Sequence, residues 1–152
     1  MMFRITKLTV KRIGDEMSDT DDLKTTWDGD KVSESAQYSN EDIATHGLEE
    51  VREWCRQDAE RIKQFEAGEL YFVGVVAEAK LIHSQEKDGG GTIHRISTAG
   101  VWGVDSDSDE DNFRELGEEE LEALKIILAD MGIDEEEFGC HSVQWPKEVT
   151  WS

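Results

Sequence analysis

The spacing of hydrophobic positions changes several times along the chain, and each change marks an element. Residues 1–13, MMFRITKLTVKRI, alternate imperfectly. Phe3 and Ile5 fall on one parity and Leu8 and Val10 on the other, which predicts a strand with a bulge. Its Lys and Arg residues suit an edge strand protected against pairing; the alternative is a basic strip lying back on an acidic body. Met17 offers a second start, which would make this strand an upstream extension. Gly14–Ser39 has no sustained period and reads as an irregular or mobile segment, with Asp28-Gly29 turning a short hairpin. Ser39 or Asn40 caps a helix to about Ala67, with Leu48, Val51, Cys55, Ala59, Ile62 and Phe65 on one stripe. Gly47 weakens its early part, and Gly68 stops it.

The second half begins with a strand over Leu70–His83. Both parities are apolar through Leu70–Val76, so both faces are buried there, and the strand emerges near Glu78 and Lys80. Gln85–Gly91 is a glycine-rich hairpin loop. It is not a phosphate loop, because no Lys-Ser or Lys-Thr follows and the next element is a strand. Thr92–Val104 returns as the second strand, with a bulge or close backbone approach near Gly100 and Gly103. Ser108 is the expected N-cap of a helix over Asp109–Met131, buried through Phe113, Leu116, Leu121, Leu124, Leu128 and Met131. Gly117 is expected to kink or divide it, and Gly132 to close it. Asp134–Phe138 is a further helical start or turn, and Ser142–Trp151 a terminal strand that Pro146 places at a sheet edge. The expected fold is α+β: one domain over 1–152, an antiparallel hairpin packed against two amphipathic helices, with both terminal strands extending the sheet.

Charge changes this picture most. The net charge is −20 and the pI about 4.4. Between Asp105 and Glu137 lie 15 carboxylates against Arg114 and Lys125, a local charge of −13. So negative a surface repels phosphates and anionic lipid, which argues against direct nucleic-acid or membrane binding. The same field attracts basic partners or cations. Cys55 and Cys140 have no pairing signal, no secretory leader is legible, and no apolar run reaches membrane-spanning length, so a cytoplasmic protein is expected.

Asp105-x-Asp107-x-Asp109 is the sharpest motif, since alternating Asp in a turn can converge oxygens on a hard cation such as calcium. As a helix–loop–helix calcium loop it departs at position six (Glu110), eight (Asn112) and twelve (Leu116), and a strand precedes it. Cys140-His141 lacks two further ligands at zinc spacing, and adjacent residues rarely face each other as a catalytic pair. No other hydrolase, metalloprotease or redox motif is present, so no enzyme is expected and no cofactor beyond the calcium alternative.

The run from Arg52 through Val76, with Gly68, Tyr71, Gly74 or Val75, Ala77 and Ala79, followed by GVWGVDSDSD over Gly100–Asp109, resembles a pattern in small acidic proteins encoded by phages and prophages. The resemblance covers about half the chain. It implies a mobile-element origin and transfers no catalytic residue. Three readings follow. The first is a non-enzymatic acidic protein binding a basic protein surface through Asp105, Asp107, Asp109, Glu110, Asp111, Glu115, Glu118, Glu119 and Glu122. In its narrower form the acidic turn and helix mimic nucleic acid and block a groove on a host nucleic-acid-binding protein. The second is a calcium module at Asp105–Asp111, with Asp105, Asp107 and Asp109 as ligands. In the third the acidity serves solubility alone.

Overall fold

The computed structural model describes residues 2–33, 36–84 and 91–151. The glycine-rich loop at 85–90 lies outside them. The fold of these residues is α+β, with four α-helices, a six-stranded mixed sheet and a two-stranded antiparallel one. The chain divides into two compact units, residues 1–15 with 72–152, and residues 16–71.

The larger unit is built on β1 (Met2–Asp15) and β4 (Phe72–Ser84), antiparallel over almost their whole length. β5 (Gly91–Ser97) and β6 (Val101–Asp105) both pair with the other edge of β4. The expected continuous strand Thr92–Val104 is therefore broken, and Thr98 lies in the break. Its N–H donates to Ala77 O at 2.9 Å while its Oγ1 accepts from Ala77 N at 3.0 Å, so the side chain replaces a ladder bond. Gly100 and Gly103 take positive φ around the irregular register at Val73/Val75, as their spacing suggested.

β1 is not an edge strand. Its second edge carries β7 (Val143–Gln144) and β8 (Val149–Thr150), both parallel to it. The Lys-rich composition suggests an edge, but β4 on one side and β7 and β8 on the other use both of its edges, and its inward side chains Ile5, Leu8 and Val10 are buried. The parity change in its sequence is a bulge between Ile5 and Lys7. Pro146 falls between the two short outer strands, where no ladder N–H is needed.

On one face of this sheet lies α3 (Glu110–Asp130), followed by α4 (Glu135–Gly139). Ile5, Leu8, Ala77, Ala79 and Leu81 pack against Leu124, Leu128, Ile133 and Phe138 in a single apolar core. Gly117 does not divide α3. It is buried, and the ring of Trp145 lies where its Cβ would stand. The helix closes as expected at Gly132, with Ile133 N donating to Leu128 O and Gly132 N to Ala129 O, both at 3.0 Å. The N-cap is Asp109 rather than Ser108, its carboxylate accepting from Asn112 N at 2.7 Å.

The smaller unit contains a 3-10 turn at Asp21–Leu23, the expected hairpin of β2 (Trp27–Asp28) and β3 (Lys31–Val32), α1 (Asn40–His46) and α2 (Leu48–Glu66). The helix expected over Asn40–Ala67 breaks at Gly47, where φ is +92°. Ser39 caps α1 in a reciprocal box with Asp42, holding the Asp42 carboxyl below its ordinary range. Asn40 is free of that task and uses its amide to pair with both backbone groups of Val32, at 2.9 and 3.2 Å. Val51 is the one α2 side chain fully buried among the described residues, and Cys55 is half-buried. So short a unit has little interior to offer. Tyr38 Oη donates to Asp58 at 2.7 Å, and burial together with that carboxylate raises its hydroxyl above the ordinary tyrosine range.

Candidate functional site

The acidic turn and α3 were singled out by charge, and the geometry separates their carboxylates by what they touch. Asp105 is half-buried at the end of β6, opposite Phe72, and its carbonyl accepts from Ser108 N at 3.0 Å. Asp107 is exposed in the turn, and Asp109 caps the helix. Among the described residues no group of three His, Cys, Asp or Glu side chains is placed to hold a metal ion, this trio included.

Glu110 faces β1. Arg12 grips it with two hydrogen bonds, 2.6 and 3.1 Å, and the same guanidinium lies 4.1 Å over the Phe113 ring. Those bonds hold the Glu110 carboxyl below its ordinary range. In Arg12 the basic strip of β1 does lie back on the acidic helix. Asp111 is exposed one residue on.

Further along α3 the arrangement opens. Glu115, Glu118, Glu119 and Glu122 are all exposed and line one shallow depression of about 470 Å³. Leu121 and Phe138 supply apolar surface there and Lys125 a cationic wall. Two cations answer these acids: Arg114 reaches Glu118 at 3.4 Å and Lys125 reaches Glu122 at 3.0 Å. Arg114 also lies 4.0 Å over the Trp145 ring, and Lys125 5.5 Å over Phe138. The depression thus combines anionic rims with an apolar floor.

Two features of this site escape the periodicity. Glu120 is only 9% exposed and points into the protein, where Thr98 Oγ1 donates to it at 3.1 Å. Phe138 comes from α4 to complete the depression. A Glu amid Glu118, Glu119 and Glu122 carries no sequence signal of burial, although it does fall four residues before Leu124 on the buried stripe.

Cys140 is exposed beside a second depression of about 600 Å³, lined by Phe3, Arg4 and the carboxylates of Asp134, Glu136 and Glu137. Glu137 uses one oxygen to accept from Ile5 N at 3.1 Å, closing the edge of β1 beyond β7. No helix among the described residues is long and apolar enough to cross a membrane. No family model matches the chain, and no curated protein or solved structure is significantly similar to it.

Proposed function

We propose that this is a non-enzymatic binding protein whose α3 face engages a basic surface of another protein. The observation that carries the reading is the depression bounded by Glu115, Glu118, Glu119 and Glu122 over Leu121 and Phe138. An anionic rim attracts Lys and Arg, and an apolar floor receives their aliphatic stems once they dock. Successive turns space the carboxylates about 5.4 Å apart along the helix. That repeat supports the narrower reading, a nucleic-acid mimic of mobile-element origin that occupies a phosphate-binding groove. Asp105, Asp107 and Asp111 extend the negative field at the N-terminal end, whereas Asp109 and Glu110 act mainly within the fold.

Reversal of Glu115, Glu118, Glu119 and Glu122 to Lys tests this. The variant and the parent chain serve as baits in lysate of the bacterial host at low and high salt, with duplex DNA as competitor. Nucleic-acid-binding proteins should be held by the parent alone, released by salt and displaced by the duplex. Capture of the same proteins by both baits would sink the reading. Capture that depends on the four acids but resists the duplex would remove the mimicry and keep the basic partner.

A further inference from the structure

Cations are scarce in this chain, 16 Lys and Arg against 36 Asp and Glu, yet three of them stand in one row across the sheet. Lys7 of β1 pairs with Lys80 of β4, and Lys80 pairs with Arg95 of β5. Directly opposed residues share a face at about 5 Å spacing. All three side chains therefore project from the face away from α3. Like charges in opposed positions destabilise a sheet. Acids are plentiful enough to have neutralised this row, but among the described residues no ion pair or hydrogen bond engages the cationic side-chain ends of Lys7, Lys80 or Arg95. The neighbouring Glu78 pairs with Lys11 instead, at 2.9 Å.

The bulge in β1 completes the row. Uninterrupted alternation from Ile5 would turn Lys7 toward the core. The extra residue, Thr6, returns Lys7 to the far face opposite Lys80 and lets Leu8 fall inward. Thr6 Oγ1 donates to the Lys80 carbonyl at 3.1 Å, which pins the bulge beside the row. The three cations line a hollow of about 300 Å³ with Thr9, Lys11 and Gln144, in which Glu78 and Glu148 are the acids.

We propose that this hollow binds a compact polyphosphate, of the class of inorganic pyrophosphate or the di- and triphosphate group of a nucleotide. Two ammonium groups and a guanidinium on flexible stems can bond adjacent phosphates together, which a single phosphate cannot exploit. The volume is at the small end for ligand sites. A long polyanion would extend over the rest of a −20 body and be repelled. A compact ligand held within a Debye length, roughly 8 Å, senses chiefly the row. Like charges opposed across three strands break the pairing rule of the sheet, and such breaks collect at functional sites. This site is independent of the acidic face of α3.

The test is titration of the full chain with inorganic pyrophosphate, ATP, inorganic phosphate and a single-stranded oligonucleotide at fixed ionic strength, by calorimetry and amide NMR. Pyrophosphate and ATP should bind, with shifts centred on Lys7, Lys80 and Arg95; phosphate should bind more weakly and the oligonucleotide no tighter than ATP. Lys80→Gln and Arg95→Gln should each weaken ATP binding by about ten-fold. Lys80→Gln should leave the melting temperature equal or raised, since it removes repulsion, and Lys24→Gln should leave binding unchanged. Absence of binding by both pyrophosphate and ATP would overturn the proposal. So would undiminished affinity in the Lys80 and Arg95 variants, or an oligonucleotide that binds more tightly than ATP.

Discussion

Three glycines each receive a tryptophan ring. Trp151 lies on Gly14, Trp102 on Gly74 and Trp145 on Gly117, and a Cβ at any of the three would collide with the ring. None of these pairs could be read from spacing, because a glycine inside a strand or helix pattern looks like a weakness whatever lies on it. Gly117→Ala decides between two effects. Alanine favours a helix interior by about 1 kcal/mol. Overpacking against Trp145 and against Val10 Cγ1, which would be 2.9 Å away, costs about 1–3 kcal/mol. The net expectation is destabilisation, read from the midpoint of denaturant unfolding; a higher midpoint would show that Trp145 moves aside freely. Thr98 gives a second expectation at this scale. It is 7% exposed and links Ala77 N–H to buried Glu120. Thr98→Val keeps the shape and leaves a donor and a carboxylate unsatisfied, costing about 2–3 kcal/mol. Thr98→Ser keeps the hydroxyl and should recover most of that loss in the same unfolding experiment.

Among elements, apolar period located β1, β4 and α3 because each has a buried face long enough to show it. Their ends and breaks were less legible, since these depend on single polar side chains. Ser108 and Asp109 are both good caps by type, and it is Asp109 whose extended backbone precedes the first helical residue and whose carboxylate accepts from Asn112 N. Asp109→Ala should therefore cost about 1 kcal/mol in unfolding, and Ser108→Ala a few tenths. Equal losses would mean that the two share the cap. The edge assignment of β1 failed for a different reason: Lys guards edges, but it also lines an open sheet face, and composition does not separate the two. The Arg12–Glu110 pair then ties β1 to α3 and gives that tie a pH dependence. The folded-state Glu110 carboxyl lies below its ordinary value of 4.5. Its contribution is complete above that value and is lost as pH falls through the lowered one. Thermal melts of the parent chain should fall more steeply below about pH 4.5 than those of Arg12→Gln, in which the depression is gone. Parallel curves would count against the pair.

At the scale of the whole molecule, net charge and local charge point in different directions, and both matter. The −20 total described an acidic protein, and α3 does present exposed carboxylates. Averaging over the chain also concealed the row at Lys7, Lys80 and Arg95, because strand register, which composition lacks, assembles it. The acidic total has a consequence for stability that does not depend on any partner. Exposed ion pairs such as Arg56–Glu53 and Arg114–Glu118 contribute about 0–1 kcal/mol each and weaken in salt. Repulsion among the unmatched carboxylates is spread over many pairs, opposes the compact state and is screened by the same salt. With acids outnumbering cations by 36 to 16, repulsion is the larger sum. The melting temperature should therefore rise between 10 mM and 500 mM sodium chloride, concentrations at which the Debye length shrinks from roughly 30 Å to a few Å. Capture of a basic partner by α3 should weaken over the same range. The opposite signs separate a salt-weakened interface from a salt-weakened fold. A melting temperature that falls with salt would instead make the ion pairs the dominant electrostatic element of the fold.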